Sequence, residues 1–507
     1  MRGATIVITL LVYFVLLLCV SRLTSRKTDN DTFYRGNRRS PWYMVAFGMV
    51  GASISGVTFV SVPGMVMHTD MTYMQTCLGF ILGYFAVAFL LLPIYYRLNL
   101  TTIYSFLQQC LGHEAHRTGA SFFLLSKMTG AAIRFYVPCL IIHRFVVVPM
   151  LSPGDGSRCD AATYGTFGLT VLVMVALIWL YTRRGGIKTL VWTDTLQTVC
   201  MFTALILIIY KVMSMLDMTT GEALAAVFSD EHSRMFVWSD GMSKQNFWKQ
   251  FLSGIFIVIV MTGLDQDMMQ KNLTCKTLRD AQKDMCCYGF AFAPANLLFM
   301  ILGVLLLILA SRQGIAPPAN SDELLPMFAA TGQLGQTVVV LFSIGIVAAS
   351  FSSADSALTA MTTTWCVDIA RRPGDTRLRR RVHLAMAAIF AIIIILVNTL
   401  NSTSVIDTIY ILCSYTYGPL LGLFAFAIVW RRKVRNTKYE NRDESYTSSD
   451  DGNPASRKAV TLVCLASPLL CYGLNLLVAN VTGYQFGYEL LMINGLFTFL
   501  GLVMLYR

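Results

Sequence analysis

The sequence predicts an all-α, multi-pass membrane protein, and three observations carry that prediction. Charged residues make up only 13% of the 507 residues and hydrophobic residues 55%, whereas a soluble protein is about a quarter charged. The apolar residues are gathered into runs of membrane-crossing length, about 20 residues each. The basic residues fall between these runs with a consistent side preference. The same figures exclude a cytosolic enzyme, a disordered chain and a nucleic-acid binder. The excess of 40 Lys and Arg over 28 Asp and Glu reads as orientation signal in loops.

In chain order the runs lie at 6–20, 42–69, 72–96, 117–149, 161–183, 188–215, 246–270, 285–311, 335–368, 383–400, 407–430, 458–480 and 487–506. That is about thirteen spans. Arg22, Arg26, Lys27, Arg35, Arg38 and Arg39 follow the first run, and no small-residue cleavage site does. It therefore reads as an uncleaved span with its N-terminus outside. On that register roughly 30 of the 40 Lys and Arg lie inside and about seven outside. The inner clusters are Arg183 and Arg184, Lys271 to Lys283, Arg371 to Arg381 and Arg431 to Lys438. The C-terminus is then cytoplasmic. Residues 431–457 form the one long polar stretch and read as a mobile cytoplasmic linker. They divide a core, 1–430, from two accessory spans in 458–507. The 13 cysteines form no CxxC pattern and read as small packing residues.

Function is expected where a span breaks the rules of a span. The second run reads Gly48-Met-Val-Gly51-Ala-Ser53-Ile54-Ser55-Gly56-Val-Thr58, and continues to Ser61, Pro63 and Gly64. Each interior glycine costs a helix about 1 kcal/mol, and proline removes a donor. One reading is close packing through small residues. The other is a discontinuous helix whose freed carbonyls bind a cation. In the ninth run Ala349, Ser352, Ser353 and Ser356 fall at i, i+3, i+4 and i+7, one helix face, and Asp355 adds a carboxylate. A row of hard oxygens suits Na⁺. Asp194 lies inside the sixth run, and Lys127 and Arg134 inside the fourth. Intramembrane charges are costly and usually functional. A buried guanidinium requires an anion, either a protein carboxylate or one on a solute.

Six segments together carry a resemblance: GASISGVTFVSVPG (51–64), YRLNLTTIYSFL (96–107), GGIKTLVWTDTLQ (185–197), GLDQDMMQKNLTCK (263–276), AASFSSADSAL (348–358) and SYTYGPLLGLF (414–424). In this order they resemble the sodium:solute symporter family over nearly the whole chain. The resemblance implies a LeuT-type fold with two inverted five-helix repeats, about 42–215 and 246–430, each opening with a broken helix. For the second, the candidate breaks are Ser253-Gly254 and Thr262-Gly263. It implies a main Na⁺ site of Gly51 and Ile54 carbonyls with Ala349, Ser352 and Ser353. A second Na⁺ position would use Ser352, Ser356 and Asp194. Asp355 stands where other members have a serine, so it would strengthen Na⁺ binding, admit a proton or pair with a basic residue. Ser53, Ser55, Thr58 and Gln75 would face the solute, and Arg134 matches an arginine that holds a carboxylate in sialic acid carriers.

The expected activity is Na⁺-coupled symport of a small polar organic solute, a sugar or an acidic sugar such as sialic acid, by alternating access. The expected location is the cell (inner) membrane. The partners are sodium ions, the solute and lipid, with no obligate protein partner. Proton coupling is the rival within transport, and a transporter-like membrane sensor the rival outside it. No GxSxG, HExxH or Walker pattern supports an enzyme.

Overall fold

The computed structural model describes residues 2–24, 30–148, 161–239, 241–330, 332–398, 405–440, 454–484 and 486–506. Among them there are helices and no strands. In a bilayer this is one of two permitted solutions, because every backbone group must be satisfied within the chain.

The chain opens with α1 (Arg2–Thr24) and the short α2 (Asn30–Arg35). The second run is divided into α3 (Trp42–Ser53) and α4 (Gly56–Thr69), bent by 59°. Then come α5 (Tyr73–Arg97), the short α6 (Ser105–Leu111) and α7 (His113–Ile142). Gly186, at φ +52°, separates α8 (Gly165–Arg183) from α9 (Gly186–Met215). Glycine alone takes that backbone freely, and a Cβ here would collide with the Phe33 ring. The exposed α10 (Thr220–Ser229) begins with a Thr219–Glu222 capping box.

The second bent pair is α11 (Phe247–Gly263) and α12 (Gln266–Asn272), at 69°. The long α13 (Leu278–Gln313) starts on the Thr277 side-chain cap and stops at left-handed Gly314. After α14 (Leu324–Ala329) come α15 (Gln336–Ile369) and α16 (Thr376–Val397). A third pair, α17 (Val405–Thr416) and α18 (Gly418–Glu440), bends by 43° at Tyr417. The described chain closes with α19 (Pro454–Thr482) and α20 (Leu490–Leu505).

Eight described helices are long and apolar enough to cross a membrane singly, and the three bent pairs meet the same test jointly. Two expectations need correction. Ser253-Gly254 remains helical, because Gly254 is where α11 packs backbone to backbone on Thr76 and Gly79 of α5. The break falls at Leu264 and Asp265, beside Thr262-Gly263. The start of the expected linker is helical to Glu440, and residues 441–453 lie outside the described ones.

At the centre stands α15, packed against α1, α4, α7, α8 and α9. Its residues from Gly345 to Thr364 are nearly all buried. The glycine-rich second run is both closely packed and broken. A Cβ on Gly48 would lie 3.2 Å from the Asp194 Cβ, and one on Gly51 would collide with Thr198. The glycines thus bring α3 onto α9, and the helix still breaks three residues later.

Candidate transport site

At the first break the Ser55 N–H turns back to the Ser53 carbonyl at 3.1 Å, while Ile54 still bonds to Val50 at 3.0 Å. The Gly51 carbonyl thereby loses its helical donor. The helix end leaves such carbonyls to outside partners. One partner is on α15: the Ser353 hydroxyl donates to the Ala52 carbonyl at 2.9 Å, and to its own Ala349 carbonyl at 3.2 Å. Ile54 and Ala349 are essentially inaccessible, at 0% and 1% exposure. The expected main-site residues Gly51, Ile54, Ala349 and Ser353 are therefore gathered where α3 meets α15.

Ser352 points elsewhere. Its hydroxyl donates to Asp194 Oδ1 at 2.8 Å, and Lys271 Nζ lies 2.8 Å from Asp194 Oδ2. Asp355 is fully buried; its Oδ2 accepts the Tyr181 hydroxyl at 2.7 Å and its Oδ1 the Ser356 hydroxyl at 3.2 Å. Asp194, Asp355, Ser352 and Ser356 thus form one buried group. Lys271 joins it from α12. Sequence reasoning had counted Lys271 among loop charges outside the membrane. The signal that would have corrected this was its position two turns after a broken helix, opposite an intramembrane carboxylate.

The second break is filled differently. Tyr95 and Tyr104 donate to the Gly263 and Leu264 carbonyls at 2.9 Å each. Asp265 caps α12 by accepting the Asp267 N–H at 2.8 Å. Lys127 of α7 lies 3.1 Å from Asp265 and 2.7 Å from Asp267, and the Tyr417 hydroxyl donates to Asp265 at 2.6 Å. The Gly263 and Leu264 carbonyls at this break are thus taken by tyrosine hydroxyls.

Between the two breaks lies a narrow cavity of about 80 Å³, smaller than an open small-molecule site, so the helices must part for a solute to enter. Ser53, Arg134, Lys127, Asp265, Tyr288 and Phe80 are among the residues lining it. The Ser53 hydroxyl is hydrogen-bonded to Tyr288, which also receives the Tyr84 hydroxyl at 2.7 Å. Arg134 is half-buried and has no ion-pair partner among the described residues. Ser55 and Thr58 are buried in the start of α4 but do not line the cavity. Gln75 does not line it either. Its amide is committed to the Thr72 and Gln245 carbonyls and the Val237 N–H, at 3.2, 2.9 and 3.0 Å. Sequence reasoning missed Tyr288 and Tyr417 altogether. Aromatic residues are too common in membrane helices for either to stand out.

Among the described residues, the bundle places a broken helix against a hydroxyl-bearing helix, beside a central cavity into which Arg134 brings a cation without an ion-pair partner. Comparison with known proteins supplies the family. The chain matches the sodium:solute symporter family over residues 164–437, and it belongs to that family. It is accordingly a sodium-coupled transporter and not an enzyme.

Similar proteins include the sodium/sialic acid symporter NanT of Aliivibrio fischeri, 23% identical over 436 residues, 81% of this chain and 80% of that one. The sodium/sialic acid symporter SiaT of Proteus mirabilis is 22% identical over 428 residues, 81% of each chain. The human sodium/iodide cotransporter is 24% identical over 255 residues, and the chain spans only 36% of its length. Among solved structures, a substrate-bound, outward-open Na⁺-coupled sialic acid symporter superposes with a TM-score of 0.76 at 18% identity, over 99% of this chain and 96% of that one. The nucleobase-cation symporter Mhp1 follows with a TM-score of 0.57 at 14% identity, over 93% and 94%.

Proposed function

We propose that this carrier symports Na⁺ with a small organic solute bearing a carboxylate. The observation that carries the reading is the Ser353 hydroxyl reaching the Ala52 carbonyl across the break in the second run. A cation seated between the Gly51, Ile54 and Ala349 carbonyls and the Ser353 hydroxyl would replace those hydrogen bonds with metal–oxygen contacts, and the Ser352 hydroxyl would join it by leaving Asp194. Hard oxygen donors of this kind suit Na⁺. Among the described residues there is no cluster of His, Cys, Asp and Glu that would favour another metal.

The solute reading rests on Arg134. Asp265, which lines the same cavity, is paired with Lys127, so the Arg134 guanidinium is left to an anion on the cargo, and a planar fork fits a carboxylate in two contacts. Ser53 borders the same cavity. Ser55 and Thr58 lie one turn further along the broken segment and join the solute surface if α4 tilts, whereas Gln75 braces the outer loop. An acidic sugar is the first solute to try, because two relatives covering four fifths of the chain are named for sialic acid.

The first two of the three bent pairs each open a stretch of similar length, which supports two inverted repeats, about 42–215 and 246–430. Residues 431–457 then form a polar linker and 458–507 an accessory pair. The count of thirteen spans, an outside N-terminus and a cytoplasmic C-terminus rest on the charge distribution, and the cell (inner) membrane is where such a carrier would take up its solute. Na⁺ bound where α3 meets α15 favours the solute-competent arrangement, and by linkage the solute favours Na⁺ binding equally. Inward release of Na⁺ loosens that contact, and the bundle rocks open.

The test is uptake into proteoliposomes of labelled sialic acid, glucose, galactose, proline and pantothenate, with Na⁺ or choline outside at fixed pH. Uptake of an acidic solute with Na⁺ alone supports the reading. Equal uptake in choline, driven by a proton gradient, contradicts it.

A further inference from the structure

At the second cation position the oxygens already have partners. Both oxygens of Asp194 are engaged: Oδ1 accepts from Ser352 at 2.8 Å and Oδ2 lies 2.8 Å from Lys271 Nζ. The Ser356 hydroxyl is spent on the Ser352 carbonyl at 2.8 Å and on Asp355. The Lys271 and Asp194 side chains are 2% and 1% exposed, and Lys271 is among the largest fully buried side chains of the described chain.

A carboxylate taken out of water demands a cation, and a buried pair that loses one member is left with an uncompensated charge. An ammonium is a compact, monovalent point charge, which makes it a covalent stand-in for Na⁺.

We propose that Lys271 is a tethered cation: its ammonium fills, at Asp194, the place of a second sodium ion, so that the carrier binds one Na⁺ per chain. The proposal rests on the sodium-coupled reading above and deepens it to a stoichiometry. Since Lys271 is on α12, Asp194 on α9 and Ser352 on α15, the ammonium also pins three helices at one point. An ion that cannot dissociate adds no driving force. With a singly charged carboxylate as cargo, one Na⁺ per solute makes transport electroneutral.

The experiment counts ²²Na⁺ bound at saturation to the purified full-length chain, with no solute needed. The expected count is one per chain in the wild type and in Lys271→Arg, and two in Lys271→Met, where Asp194 is freed. Lys271→Met paired with Asp194→Asn removes both charges and guards against a variant that does not fold; its expected count stays at one. A wild-type count of two that falls to one in the paired variant overturns the proposal, because sodium would then bind at Asp194 beside Lys271. So does a count of one in a folded Lys271→Met. No saturable binding in the wild type overturns the sodium reading itself.

Discussion

The Ser353 hydroxyl donates to the Ala52 carbonyl at 2.9 Å, joining two helices 301 residues apart in sequence. The bond closes where α3 has run out of its own donors. Replacing Ser353 with Ala removes a hydroxyl that a bound cation would use. We expect Na⁺ activation of uptake to weaken by about 10-fold, as for the loss of one bond to a charged group. Ser353→Thr should remain near wild type. Unchanged Na⁺ affinity in Ser353→Ala would move the sodium position elsewhere.

Arg134 faces the cavity from α7 with no ion-pair partner among the described residues. Arg134→Ala should lower solute kcat/KM by about 100-fold, a charge-assisted pair being worth up to ~3 kcal/mol. Arg134→Lys should fall between, since a point charge replaces a fork. Sodium binding measured without solute should not change in either. Retained uptake of a carboxylate solute in Arg134→Ala would show that another group holds it.

Gly51 packs so closely on Thr198 that a methyl group has no room. Gly51→Ala should destabilise the purified protein by about 1–3 kcal/mol through overpacking. Thr198→Ala should recover part of that loss, because contacting sites do not add independently. Thermal unfolding of the single and double variants in detergent measures both. Additive losses would mean that α3 shifts rather than strains.

Lys127 is shared by Asp265 and Asp267 at 3.1 and 2.7 Å. Lys127→Met leaves two buried carboxylates without a cation and should cost about 3–5 kcal/mol. Adding Asp265→Asn and Asp267→Asn should restore most of it. A single variant as stable as wild type would mean that this ion group lies in water in the working protein.

Much of the architecture was legible because a bilayer makes hydropathy decisive. The apolar runs correspond closely to the described helices, and the break after Ser53 was visible as four glycines and four hydroxyls between positions 48 and 64. The bend at Tyr417 was not, because nothing local marks it except the following Gly418-Pro419. Ser352 and Ser353 were recognisable as a pair, but periodicity does not say that one faces Asp194 and the other Ala52. Lys271 was read as a loop charge, since composition cannot tell a solvated lysine from one buried against a carboxylate 77 positions earlier. Gln75 was placed near the solute, while its amide is taken up by backbone groups of the loop at 237–245. Such pairings depend on how distant helices meet.

The most direct test is the solute accumulation ratio in proteoliposomes as the imposed Na⁺ gradient is varied, with no pH gradient. Accumulation should rise in step with the Na⁺ ratio and vanish when the Na⁺ concentrations are equal on both sides. Accumulation that ignores the Na⁺ ratio and follows an imposed pH gradient would contradict the sodium coupling on which the account rests.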